Sequence, residues 1–464
     1  DENGLVNYAE IIGGEEVTNG DFSNDSDWTK GTGWTIGVDK AIYTGTANSN
    51  LEQGSILNSG INYILNYEVI SSTLSGGIVK LSGETASAQN VLSQVAGTHS
   101  LIFTANGSSP EDFKIRIVVN TSGSYEITNI SVKQVDRDNV PRIDYTGGGC
   151  PHILAEPQRT NLITYSEDFS NTIWQKQTGI VPTYNTTETL SPDGTYSATK
   201  FIGTGSTGVF KASIIVSGNI SRSVYLKSVT GTTTATFKEP NTGTPSAISL
   251  TITNEWQRFE MIGDNGSSSQ GLWIDDITSD GLYMWGAQVE EGSYATSYIP
   301  TIGSTVTRNQ DIFTRDGIGS LINSTEGVLF LEMAALYDGS SIRLIGLNDG
   351  SDLNRVFFYF RDSSGTNPNR VRTEVISGGS SQYSSYNTIP NSGSLLDFNK
   401  IAVKWKVNDI AIWINGTEVD TDTSALAPIG LNSLDFSTAS GSLPFSGKVK
   451  QLQVYDTALT DVQL

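Results

Sequence analysis

Lys400-Ile-Ala-Val-Lys-Trp-Lys-Val-Asn-Asp-Ile-Ala-Ile-Trp-Ile-Asn-Gly-Thr-Glu-Val-Asp420 places large apolar side chains at every second position, pauses at Asn408-Asp409, and pauses again at Asn415-Gly416. A period of two belongs to a strand with one buried face; a helix would space them three and four apart. Short turns rich in Asn and Gly join antiparallel strands. Ile401, Val403, Trp405 and Val407 therefore share a face with Ile410, Ile412 and Ile414 of the next strand. Closing the turn at Asn408-Asp409 sets Val407 opposite Ile410, Trp405 opposite Ile412 and Lys404 opposite Trp413. Trp405 then belongs to the core, and Lys404 meets Trp413 on the far side. There the two form either a cation–π surface pair or a candidate glycan contact. In the second case the Trp413 indole offers a flat face to a sugar ring and Lys404 donates to a hydroxyl or carboxylate.

Downstream, Phe445-Ser-Gly-Lys-Val-Lys-Gln-Leu-Gln-Val-Tyr-Asp-Thr-Ala-Leu-Thr-Asp461 reads as a closing strand and a capped turn. A Trp-bearing hairpin, an Asn-Gly turn and a closing strand together resemble laminin G-like, concanavalin A-like domains. The resemblance covers Thr305 to Leu464 and implies a β-sandwich there. That fold also hosts retaining glycan hydrolases, whose strand motif Glu418-x-Asp420-x-Asp422 approaches. Alternation puts all three carboxylates on one strand face, as a nucleophile and acid about 5 Å apart require. The last position is one methylene short and runs into a Thr/Ser-rich stretch, so a solvated edge is the reading and no catalytic residue is assigned.

A chain of 464 residues predicts about three domains. Its 48 glycines, with abundant Ser, Thr and Asn, suit short strands and many turns. The net charge of −21, from 28 basic and 49 acidic residues, and the lack of a basic stripe argue against nucleic acid as a partner. No apolar run approaches the roughly 20 residues of a membrane span, so no membrane insertion is expected. One cysteine, Cys150, excludes an intrachain disulfide. It neighbours His152, but in a Gly/Pro-rich segment with no oxyanion scaffold; His99 has no metal-ligand neighbour either. Opening on Asp1 without methionine fits a processed or partial product.

The first two thirds repeat themselves. Asp21-Phe22-Ser23, Trp28 and Lys30 are answered by Asp168-Phe169-Ser170, Trp174 and Lys176. Asn106-Gly107-Ser108-Ser109 is answered by Asn265-Gly266-Ser267-Ser268, and Gln134-Val135 by Gln288-Val289. Between the marks lie alternating stretches such as Tyr63-Ile-Leu-Asn-Tyr-Glu-Val-Ile70, Lys114-Ile-Arg-Ile-Val-Val119 and Ser223-Val-Tyr-Leu-Lys-Ser-Val229. Order is kept while loops vary, so the economical account is two homologous domains. The opening Val17-Thr-Asn-Gly-Asp-Phe-Ser-Asn with its following tryptophans resembles galactose-binding-like, jelly-roll carbohydrate-binding modules. Asp21, Asp25 and Asp27 crowd a loop entering the first sandwich, and Asp349 and Asp352 flank Gly350 and Ser351 in the last. Such oxygen-rich loops are candidate Ca2+ sites and equally ordinary turn chemistry.

Two connecting segments, Pro141 to Leu162 and Glu291 to Asp311, are rich in Gly, Pro and Thr. Within them Glu156-Pro-Gln-Arg-Thr-Asn-Leu and Ser297-Tyr-Ile-Pro-Thr resemble connecting segments of bacteriophage tail-fibre and related virion proteins. The expected architecture is all-β, with two tandem jelly-roll sandwiches (1–136 and 161–297) and a concanavalin A-like, laminin G-like sandwich (313–464), joined by linkers at 137–160 and 298–312. The resemblances imply a non-enzymatic tail-fibre or capsid-decoration protein on the virion surface. It would bind host-surface or environmental glycans, contact other virion proteins and form a homo-oligomer, a trimer by analogy. The alternatives are a spacer without ligand and a polysaccharide-degrading enzyme or its ancillary modules.

Overall fold

The structure, a computed structural model, describes residues 11–464 except 75–76, 82–90, 106–109, 119–121, 137–140, 146–149, 212–213, 215–217, 240–246, 264–270, 338–342 and 364–366. The chain divides into two compact units, Ala9–Val140 and a larger one starting at Pro141 and running to Leu464. Among the described residues the one helical element is the 3-10 turn Gly319–Leu321; the rest is strand and loop. The protein is all-β.

The smaller unit is a sandwich of two antiparallel sheets. One runs Trp34–Gly37, Lys40–Gly45, Gly123–Asp136, Asn62–Ser72, Gly97–Thr104, with Ile11–Glu15 also on Gly123–Asp136. The other runs Thr29–Lys30, Ser49–Leu57, Glu111–Val118, Ile78–Leu81, Val91–Leu92. The second sandwich runs Val181–Thr183, Thr199–Ile202, Leu282–Glu291, Ile220–Ser228, Gln257–Gly263 against Gln175–Lys176, Val209–Lys211, Leu272–Asp275, Thr233–Lys238, Ala247–Ile252. Taken in these orders the ten strands correspond one to one, including their order along the chain, so the duplication extends to topology. The shared marks show why they recur. Phe22 and Trp28 pack at 5.2 Å, Phe169 and Trp174 at 4.8 Å. Each indole then donates to a carbonyl nine residues earlier, Trp28 to Asn19 at 3.0 Å and Trp174 to Tyr165 at 2.8 Å. Both are buried in the cores of their sandwiches. The Asn-Gly-Ser-Ser marks at 106–109 and 265–268 lie outside the described residues.

The last sandwich has a six-stranded sheet (Thr314–Arg315, Ser433–Asp435, Arg343–Asn348, Arg355–Ser363, Asn367–Ser377, Ser380–Thr388) facing a seven-stranded one. The latter begins with Arg142–Asp144 and His152–Ala155 and continues through Gly447–Tyr455, Glu326–Ala335, Asn399–Lys406, Ile410–Ile414 and Thr417–Asp422. Trp405 is fully buried in its core. The hairpin register differs from expectation by two residues: Lys404 pairs with Ala411 and Ala402 with Trp413. The turn sits on Val407-Asn408, where Asn408 takes the left-handed φ of 59° that Asn tolerates and Val does not. Val407 is consequently exposed rather than core. Asn415 and Gly416 both have positive φ, as a tight hairpin turn requires.

The segment 137–160, read as a linker, supplies two strands to this last sheet. Its turn-forming residues concealed a buried ion cluster. Arg142, 2% exposed, donates to Asp311 (Nε, 3.0 Å, and Nη2), to Glu156 (2.8 Å) and to Ser297 (3.3 Å). Arg308 reaches the same Glu156 carboxylate at 3.0 Å, and the Ser297 N–H donates to it at 3.0 Å. Burial opposes ionisation of Glu156, but Arg308 and Arg142 outweigh it and hold its carboxyl below the usual range. Asn161 adds side-chain bonds to the carbonyls of Ala287 and Ile299, and Thr301 one to that of Ile163. The connecting segments around Glu156 and Ser297 thus knit the second sandwich to the third, and Tyr294 stacks on Tyr337 at 5.1 Å across the same junction.

Candidate functional site

In the five-stranded sheet of the first sandwich, alternation sends Leu51, Val79, Phe113, Ile115 and Ile117 into the core. Asn50, Glu52, Lys80, Lys114 and Arg116 point the other way. Register lines up Asn50, Arg116 and Lys80 in one row and Thr29, Glu52 and Lys114 in the next. Over these rows lies a cleft of about 330 Å³ lined by residues 29–32 and 48–50, Glu52 and Arg116. Gly31 makes room for it: a Cβ there would lie 2.5 Å from Ser49 Oγ and 2.9 Å from the Asn50 carbonyl, to which Gly31 N–H donates at 2.8 Å.

The charges around the cleft are unequally matched. Lys30 pairs with Asp25, and Lys114 with Asp112 at 3.0 Å and Glu52 at 3.6 Å. Lys114, with the Ser55 N–H, holds the Asp112 carboxyl below its ordinary range, and Asp112 raises Lys114 in return. Arg116 has no ion pair or hydrogen bond among the described residues, and the buried Ser49 hydroxyl is likewise unsatisfied. The arrangement presents a guanidinium, planar amides and hydroxyls on a rigid sheet. It offers hydrogen bonds in fixed directions.

On the equivalent sheet face of the second sandwich, the places of Glu52 and Lys114 are taken by aromatic residues. Phe210, Trp273 and Lys238 stand side by side on adjacent strands, with Phe210 5.4 Å from Trp273 and the Lys238 ammonium 5.3 Å from that ring. Lys238 also pairs with Asp275 at 2.6 Å. Neither row was singled out from sequence, although alternation in Lys114-Ile-Arg-Ile and Leu272-Trp-Ile-Asp275 already turns Arg116 and Trp273 outward.

The residues singled out from sequence are placed otherwise. Lys404 is 7% exposed and held by Asp409 at 2.8 Å, with Asp461 at 3.7 Å; it is diagonal to Trp413 rather than opposite it. Trp413 is half-buried, with its indole N–H buried and unsatisfied. A bulge at Val419 breaks the carboxylate alternation: Glu418 pairs with Trp413 on the outer face, while Asp420 pairs with inward Ile412 and accepts from Tyr383 at 2.8 Å. Asp21 accepts from its own loop at Ser23, Asp25 is taken by Lys30, and Asp27 is bonded by Ser26. Asp349 binds Ser351 and Asn354, bonds that outweigh burial and keep its carboxyl below the usual range. Asp352 pairs with Arg355 at 2.8 Å. Among the described residues no three His, Cys, Asp or Glu gather to hold a metal; in this structure these carboxylates are engaged in turn-building bonds and ion pairs. His152 sits on a strand 3.1 Å from Asp144, apart from any catalytic arrangement with the exposed Cys150.

No family model matches the sequence, and no curated protein matches it. Among solved structures the chain is similar to the Ruminococcus gnavus IT-sialidase CBM40 bound to α2,3-sialyllactose, at 17% identity over 31% of this chain and 82% of that one, with a TM-score of 0.26. It is similar to the CBM22-1-CBM22-2 tandem domain of Paenibacillus barcinonensis Xyn10C at 10% identity, 62% and 100% coverage and TM-score 0.23. It is also similar to mouse laminin alpha1 chain domains LG4-5, at 10% identity, 60% and 96% coverage and TM-score 0.22. Likenesses this faint say nothing of what this chain binds.

Proposed function

We propose that the chain is a non-catalytic, saccharide-binding protein carried on a bacteriophage virion as a tail fibre or capsid decoration. The observation that supports binding is the first-sandwich cleft, where Arg116, Asn50 and Glu52 stand together on one outward sheet face. A polyhydroxylated ligand satisfies such groups without any chemical step, since its ring hydroxyls both donate and accept. The virion placement and trimeric state rest on the resemblance of the Glu156 and Ser297 segments to phage connecting segments. Glycan-array screening of the full chain followed by titration calorimetry tests the first part: a saccharide ligand whose binding is lost in Asn50→Ala supports it. Release of reducing ends from a polysaccharide would replace it with an enzyme. Mass spectrometry of purified particles and sedimentation of the full chain test the second part.

A further inference from the structure

We infer that the first-sandwich cleft selects an anionic saccharide, a sugar unit bearing a carboxylate or sulfate, with Arg116 as the anion's anchor; this rests on the saccharide-binding reading above. Residues 1–136 carry 16 acidic and only 6 basic side chains, so the domain as a whole repels anions. Four of those six, Lys30, Lys80, Lys114 and Arg116, nevertheless lie on the strands of one sheet, and that sheet carries the cleft. Within it Lys30 and Lys114 are matched by Asp25, Asp112 and Glu52. Arg116 lines the cleft and has no partner among the described residues. Its fork of N–H donors pairs bidentately with a carboxylate or sulfate. Asn50 stands directly across the strand, placed to hydrogen-bond the ring hydroxyls of the same sugar. A purely structural arginine would be expected to engage a neighbouring carboxylate, and Glu52 is instead drawn toward Lys114.

The test is titration of the full chain with oligogalacturonate, a sulfated galactan oligosaccharide and the neutral galactan oligosaccharide of equal length. The expected result is binding of at least one anionic probe about tenfold tighter than the neutral one; comparison of the two anionic probes distinguishes carboxylate from sulfate. Arg116→Gln should remove this preference by weakening anionic binding about tenfold more than neutral binding, and Arg116→Lys should restore only part of it. Lys133→Gln, on the opposite sheet, controls for bulk charge. Equal affinity for neutral and anionic probes, an unaffected preference in Arg116→Gln, or an equal loss in Lys133→Gln overturns the inference and leaves the saccharide reading standing. Failure of every glycan in the array and of all three probes overturns both.

Discussion

Replacing Arg142 by methionine probes how the second and third sandwiches are held together. The side chain is 2% exposed and donates to Asp311, Glu156 and Ser297. Removing one partner of a buried ion pair costs about 3–5 kcal/mol because a charge is left uncompensated. Glu156 keeps Arg308 and the Ser297 N–H, so the orphan is Asp311, which among the described residues retains the Glu156 N–H at 2.6 Å. Methionine refills most of the volume, and the cost settles near the lower end, about 3 kcal/mol. With an unfolding entropy of about 2.1 cal/mol/K per residue, a unit of this size shifts by roughly 1.5 °C per kcal/mol, so the Pro141 to Leu464 transition should fall by roughly 4–5 °C in scanning calorimetry. That of Ala9–Val140 should stay in place, and proteolysis should open the chain near Arg142. The double variant Arg142→Met/Asp311→Leu should recover much of the loss, because no buried charge is left without a partner. A single variant that melts within about 2 °C of wild type, or a double variant worse than the single, would refute this account of the cluster.

Gly208→Ala should destabilise by about 1–3 kcal/mol, since its Cβ would lie 2.3 Å from the Ile274 carbonyl and 2.7 Å from Trp273 Nε1; denaturant titration with tryptophan fluorescence reads both the loss and the displaced indole. Trp413→Ala should cost about 1–2 kcal/mol, less than the 3–5 of a fully buried aromatic; no change in the denaturation midpoint would show a freely exposed ring. Glu156 has a folded-state carboxyl below its unfolded value because Arg308 and Arg142 prevail over burial. Its stabilisation is therefore complete above the unfolded pKa of about 4.3 and is lost as pH falls through the lower folded value. Burial raises Asp311 despite Arg142, giving a contribution of opposite sign. The melting difference between wild type and Glu156→Gln isolates the former, and it should shrink on acidification; a difference constant with pH would contradict the assignment.

Period-two alternation and Asn-Gly turns made the sandwich class legible, because each is set by a few neighbouring residues. The duplication was legible because Phe22, Trp28, Phe169 and Trp174 fill equivalent places that tolerate little else. The hairpin slipped by two residues because Asn408 and Asp409 are comparable turn formers; the choice rests on which residue takes φ 59°. A shift of two preserves the faces, so Trp405 was still assigned correctly to the core. Nothing local marks a bulge at Val419. The connecting segments misled more deeply. Their prolines and glycines advertise turns, whereas their role depends on Arg142 meeting Asp311 169 positions away. The cleft was hidden for the same reason: Ser49, Asn50 and Arg116 become neighbours only when register is known.

Comparison of the two repeats indicates where specificity can change without disturbing the fold. Inward positions are fixed by close packing between sheets, and substitutions there carry cavity or overpacking costs; accordingly both copies keep the same strand order and the same indole-to-carbonyl bond. Outward positions carry no such constraint. Across three equivalent strands the first copy presents Asn50, Arg116 and Lys80, and the second presents Phe210, Trp273 and Lys238. Matched through Lys30 and Lys176, Phe210 stands where the first copy has Glu52 and Trp273 where it has Lys114, so an ion pair in one copy is an aromatic pair in the other, and the guanidinium of the neighbouring row has no counterpart in the second. A guanidinium rewards a charged substituent on a ligand, while an aromatic face rewards apolar surface such as the C–H side of a sugar ring. If both rows bind, they cannot prefer the same chemical feature. Exchanging the central residues, Arg116→Trp in one variant and Trp273→Arg in another, should therefore move ligand preference while leaving each core and its melting transition largely intact.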